Sequence, residues 1–280
     1  MIGRPIQLAA GHLSAWLVQP DVGDASLAVV VLNAGLLPAY GPYGLHTQIA
    51  ELLATRGITT LLLDQSGKGE SLPRPGFDRL QALEADFDTV QAWLADLGIR
   101  NLALVGLCSG ADDAVQLADK PGVRALVLLD PLCKRDLAFF AQRYAPRLLR
   151  PRPARAVRKI IDNLRQVSRG AGGTATAAEA YDSRGAAPLA DQRTRLRRFL
   201  ASQGALFTAF TGSVSEYYGY AGQYRRFLGA RRAKDGIPPK FAEHHLPTAE
   251  HTYTTQQDRE NLLNVLVPWL EAESKPADRC

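Results

Sequence analysis

The chain has 280 residues, 46% apolar and 22% charged, and 33 lysines and arginines against 28 acids give it a formal charge of +5. These are the proportions of an ordinary globular protein, not of a disordered or fibrous one, and the length allows one large domain with an insertion as readily as two domains. Cys108, Cys133 and Cys280 are too few and too irregularly spaced for a disulfide framework. With no signal-like start and no apolar run of membrane-spanning length, the expected setting is the reducing cytoplasm.

In chain order, β-rich apolar runs are expected as strands at Leu13–Gln19, Leu27–Leu32, Ile58–Leu63, Leu102–Gly106, Ala125–Leu129, Ala205–Thr211 and Lys240–Leu246. Amphipathic stretches between them predict helices at His46–Thr55, Leu80–Leu97, Ala111–Ala118 and Gln256–Leu270. Strand and helix in alternation mean βαβ crossovers and a mostly parallel sheet. The first two of these strands have no helix between them and are read as an antiparallel hairpin. The alternation breaks after Asp130, and residues 133–203 read as an inserted helical cap between core segments 1–132 and 204–280. Within it, Ser168–Ala178 (SRGAGGTATAA) reads as a flexible segment. Residues 133–198 hold 16 basic and 5 acidic residues, a net +11, which leaves the rest of the chain at −6. The basicity therefore belongs to the insertion.

The strongest local motif is an apolar strand, Leu102–Val105, running into Gly106-Leu-Cys108-Ser-Gly110 and then a helix. A nucleophile elbow requires this order. Its reactive residue sits on a strained strand-to-helix turn, and flanking glycines remove the Cβ atoms that would clash. The turn also presents Cys108 to a helix N-terminus, whose partial positive charge favours a thiolate.

With this elbow, Asn33-Ala-Gly35 before Gly41-Pro-Tyr-Gly-Leu-His46, and Asp64-Gln-Ser-Gly67-Lys-Gly69-Glu-Ser71, the chain resembles the α/β-hydrolase superfamily along nearly its whole length. The same motifs are similar to a bacterial subgroup of exosortase-A-system-associated hydrolases with cysteine at the elbow. The resemblance implies an α/β-hydrolase fold with an inserted helical cap. It also implies an oxyanion hole formed by backbone N–H groups of Ala34 or Gly35 together with Ser109. Asp64, Gly67, Gly69 and Ser71 read as structural, shaping the pocket wall.

The superfamily's chain order of nucleophile, acid and histidine points to His251, in the loop Pro247–Tyr253 before the last helix, over His12, His46, His244 and His245. The acid is expected after Ala205–Thr211, where Glu216 leads. Asp130, in Leu128-Leu-Asp-Pro131, is the competitor, and a Cys–His dyad without an acid is the third alternative. Tyr217, Tyr218 and Tyr220 beside that loop are candidates to line the substrate site, or else pack beneath it. Neither a metal cluster nor a nucleotide loop is present in the sequence, so no cofactor is implied.

The function so implied is cofactor-independent acyl transfer from an ester or thioester through an acyl-cysteine, by an acyltransferase or by a thioesterase or esterase. The basic cap suggests a coenzyme A-bound or acyl-carrier-protein-bound substrate. The alternative is a non-catalytic binding module of the same fold using the cap for an acidic partner. Nucleic acid is not an expected partner, because no recognition motif accompanies the arginines.

Overall fold

The computed structural model describes residues 3–21, 26–148, 186–229 and 240–275. Its strands are β1 (Arg4–Leu8), β2 (Leu13–Val18), β3 (Ala28–Val31), β4 (Thr59–Leu63), β5 (Leu102–Leu107), β6 (Val123–Leu129), β7 (Ala205–Thr211) and β8 (Phe241–Leu246). Among the described residues they form one sheet in the order β1-β2-β4-β3-β5-β6-β7-β8. Strand β2 runs antiparallel to both β1 and β4, and every other pairing is parallel. This is the α/β-hydrolase fold.

The helices are α1 (Leu45–Thr55), α2 (Arg79–Asp96), α3 (Ser109–Gln116), α4 (Leu137–Leu148), α5 (Leu189–Ala201), α6 (Gln223–Leu228) and α7 (Gln256–Ser274). The local starts are legible. Asp78 caps α2 in a reciprocal box with Gln81, and Thr255 caps α7 by accepting from the Asp258 N–H. Two apolar clusters cover the two faces of the sheet. One joins Val29, Val31, Val105 and Val127 to α1 and α7, and the other joins Val30, Leu104, Leu126 and Leu128 to α2, α3 and α5. Alternate residues of β3 and β5 face opposite clusters, so these strands are buried on both sides, as a parallel sheet demands.

The sequence reading is corrected at the N-terminal strands. The hairpin does not join β2 to β3, because β2 pairs with the edge strand β1, which the apolar pattern missed. Exposed Arg4, Pro5 and Gln7 dilute the β1 signal to two buried residues. Strand β3 is buried at all four positions and lies between β4 and β5, where a strand covered on both faces belongs. The described end of the segment read as a cap packs on the core. Leu196, Phe199 and Leu200 of α5 join the same apolar cluster as α2 and α3. The stretch Ser168–Ala178 and Arg150, Arg152, Arg155 and Arg158 lie outside the described residues.

Candidate active site

Cys108 stands between β5 and α3 with φ 58° and ψ −118°, a region that a residue with a side chain occupies only when its surroundings hold it there. Both elbow glycines are needed. A Cβ on Gly106 would sit among backbone atoms of Gly110 and 2.5 Å from the Ala111 nitrogen, and one on Gly110 would lie 2.5 Å from the Asn33 carbonyl oxygen. The turn is thus wedged between β5 and the loop that follows β3. Ser109 is the first residue of α3, where N–H groups have no carbonyl partner within the helix.

Asp130 directly follows β6 and is fully buried, again with positive φ (51°). Its Oδ1 accepts the Thr211 N–H at 2.7 Å, and its Oδ2 accepts the Thr211 hydroxyl at 2.7 Å and lies 2.7 Å from His251 Nδ1. The His251 N–H donates to Ser213 Oγ at 2.9 Å, which fixes the loop that carries the ring. His251 is also hydrogen-bonded to Cys108, so its ring links the buried carboxylate to the elbow sulfur. The His251 pKa is pushed up from 6.5 to about 9, first by the bond to Asp130 and then by that to Cys108, while burial acts the other way.

The carboxylate that meets His251 is therefore Asp130, and Glu216, placed first from the sequence, is exposed. Strand β6 lies beside both β5 and β7, so the end of β6 falls next to the elbow. Sequence reasoning also missed Thr211 and Ser213, which hold Asp130 and the His251 loop. Their only signal was a position at the end of a strand pattern.

Of the oxyanion candidates, one is already engaged by another. The Gly35 N–H is engaged, donating to Ser109 Oγ at 2.9 Å. The loop after β3 is held from behind by Asp64, which accepts Asn33 Nδ2 at 2.8 Å, the Ala39 N–H at 2.7 Å and the Glu70 N–H at 3.0 Å. Asn33 Oδ1 accepts the Gln65 N–H at 2.7 Å, so this side chain is a structural bridge.

The tyrosines divide. Tyr218 is buried and stacks on Phe210 with centroids 3.7 Å apart, and its hydroxyl donates to Glu243 at 2.9 Å. It packs in the core and does not line a site. Glu243 also accepts the N–H groups of Gly222, Tyr224 and Arg225, which anchors the start of α6. Tyr220 donates to Asp136 at 2.5 Å, and of the three only Tyr217, half-buried, reaches Asp130, its hydroxyl 3.5 Å from the main-chain carbonyl oxygen. Among the described residues no cluster of histidine, cysteine and acids could hold a metal, and no helix is long and apolar enough to cross a membrane.

The sequence of residues 24–202, more than half of the chain, matches the family described as serine aminopeptidase, S33. The chain belongs to that family. That membership places it among the hydrolases. No curated protein sequence matches significantly. Among solved structures, an esterase from Pyrococcus furiosus is 15% identical with a TM-score of 0.59, over 98% of this chain and 91% of that one. A proline iminopeptidase-related protein from Thermus thermophilus is 20% identical with a TM-score of 0.52, over 96% of this chain and all of that one. An α/β serine hydrolase homologue from Coxiella burnetii is 14% identical with a TM-score of 0.54, over 95% and 96%. At these identities the likeness is one of fold.

The histidines impose opposite pH dependences on stability. His251, with its folded pKa above the unfolded value, contributes stability that is complete below pH 6.5 and is lost as pH rises through about 9. His46 is fully buried and its pKa is pushed down to about 4 by burial, so it opposes folding once pH falls below 6.5. Urea midpoints are expected to fall for the wild type between pH 6.5 and 9.5, and to fall less for His251→Asn. Parallel curves would refute the ion pair.

Proposed function

We propose that the protein is a cofactor-independent acyl-transfer enzyme in which Cys108 is the nucleophile, His251 the proton carrier and Asp130 the acid that orients it. The observation that carries this reading is the bridge made by one imidazole between a buried carboxylate and the elbow cysteine. A histidine held protonated to about pH 9 is suited to a thiolate–imidazolium pair, in which the sulfur is ionised before substrate arrives.

Cys108 Sγ attacks the carbonyl carbon of an ester or thioester, and the oxyanion forms against the N–H groups of Ser109 and Ala34. The Gly35 N–H joins them only by releasing Ser109 Oγ. As the carbonyl re-forms, the bond to the alcohol or thiol leaving group breaks and that group takes the proton from His251. Water then attacks the acyl-cysteine in hydrolysis, or an amine, alcohol or thiol does so in transfer; His251 accepts the proton of the incoming group, and the C–S bond breaks to return the Cys108 thiolate. A thioester intermediate reacts readily with amines, which favours transfer. The basic character of residues 133–198 suits an acyl group delivered on coenzyme A or an acyl carrier protein. The resemblance to exosortase-A-system-associated hydrolases is compatible with this chemistry.

The family is described as serine aminopeptidase, and Ser109 is the neighbouring serine here. The bond between His251 and Cys108, and the acceptance of the Gly35 N–H by Ser109, favour the cysteine. A non-catalytic binding module would have no use for a histidine held between a carboxylate and a thiol.

Intact-mass spectrometry after exposure to a panel of acyl thioesters tests the reading. An acyl adduct is expected on the wild type, absent from Cys108→Ala and much slower to form on His251→Ala. An adduct mapped to Ser109, or none on the wild type with any donor, would overturn it.

A further inference from the structure

Ser109 carries two hydrogen-bonding groups beside Cys108, its backbone N–H and its hydroxyl. The Oγ accepts the Gly35 N–H at 2.9 Å across 74 positions of chain, so it stands between the elbow and the loop after β3, the two elements that carry the oxyanion candidates. The loop side of this contact is held firmly. The Leu37 N–H donates to the Ala34 carbonyl at 3.1 Å, closing a tight turn around Gly35, and Asn33 Nδ2 donates to the Leu37 carbonyl at 2.9 Å and to Asp64 at 2.8 Å. The elbow side is held as well, because Gly110 lies close against the Asn33 carbonyl.

A serine hydroxyl has one proton to give and two lone pairs to receive one. The Gly35 N–H takes a lone pair, and among the described residues the proton has no acceptor. Ser109 is half-buried and next in the chain to the nucleophile. A donor oriented by a rigid loop, with no acceptor at rest and one residue from the attacking sulfur, suits charge that appears only in the transition state. We propose that the Ser109 hydroxyl is a catalytic donor of the oxyanion hole. It keeps its bond from Gly35 and gives its own hydrogen bond to the substrate's carbonyl oxygen, as Cys108 Sγ adds to the carbonyl carbon and the C=O electron pair moves onto that oxygen. The proton stays on Oγ throughout, and the bond relaxes when the carbonyl re-forms and the leaving group departs. Gly35 then acts on the oxyanion through Ser109 without leaving it, and a hydroxyl polarised by the N–H behind it is a stronger donor than an isolated one. This role rests on the acyl-transfer reading.

The test is acylation of Cys108 by 4-nitrophenyl acetate and by the matching thionoester, whose thiocarbonyl sulfur is a weak hydrogen-bond acceptor, read by 4-nitrophenolate release and intact mass. In Ser109→Ala the limiting acylation rate with the oxygen ester is expected to fall by roughly 10²-fold, at a nearly unchanged half-saturating concentration, and the preference for the oxygen ester to narrow by roughly tenfold. Ser109→Thr, which keeps the hydroxyl, should retain most of both. Alkylation of Cys108 by iodoacetamide forms no oxyanion and is expected to run at the wild-type rate in both variants. An acylation rate in Ser109→Ala equal to or above the wild type's overturns the proposal, because the hydroxyl would then merely occupy the Gly35 N–H. Equal slowing of the two esters, or slowed alkylation, overturns it too, since the substitution would have displaced the elbow. Each of these results leaves wild-type Cys108 acylated and the acyl-transfer reading standing. A wild type that neither ester acylates at Cys108 overturns both.

Discussion

Asp130→Asn is expected to lower kcat/KM by roughly 10³-fold, while Glu216→Gln leaves it within about twofold, because only a carboxylate at the end of β6 reaches His251. An amide at position 130 can keep accepting from Thr211, but it no longer stabilises the imidazolium and admits the wrong tautomer. The loss is set below the largest seen for serine enzymes because a thiolate needs less help from its base than an alcohol does. A second readout separates this role from a merely structural one. With Asp130 removed, the largest cause of the raised His251 pKa is gone, so the pH dependence of Cys108 alkylation by iodoacetamide should shift. Equal loss in Glu216→Gln, or an unshifted alkylation profile in Asp130→Asn, would return the acid to the loop after β7.

Gly106→Ala is expected to be the most destabilising single-methyl change in the core, at about 3 kcal/mol or more. The added carbon would collide with the carbonyl of Gly110 and lie 2.5 Å from the Ala111 nitrogen. Both are backbone atoms of α3, so no rotamer change relieves the clash. Relief requires α3 to move off β5, which pulls Ser109 and Gly110 away from the loop at Asn33. Activity of the folded fraction should therefore fall together with the urea midpoint. A variant as stable as the wild type would mean that α3 can shift freely, and the argument for a rigid elbow would fail.

The limits of the sequence fall at particular residues. Cys108 was legible because an elbow is a local object: strand, two glycines and helix are contiguous, and each is demanded by the same tight turn. Most strands and the helices α1, α2, α3 and α7 were legible for a related reason, since the period of the apolar residues reports which faces will be covered. Strand β1 was not, because an edge strand buries too little to leave a pattern. The four tyrosines after β7 illustrate the same boundary. Composition showed them to be amphipathic, but only packing separates Tyr218, stacked on Phe210, from Tyr217 beside Asp130.

Chemistry and chain order, then, were properties of the sequence: a mostly parallel sheet, a thiol at its elbow and a histidine before the last helix. The partner of that histidine was a property of the tertiary structure. Asp130 and His251 are 121 residues apart, and nothing in either local segment encodes their meeting. They meet because β6 is seated between β5 and β7, which brings a buried carboxylate beneath the loop that follows β8. The meeting of Gly35 and Ser109 was decided in the same way, since a sequence states that a residue carries a hydroxyl but only the fold determines what that hydroxyl meets.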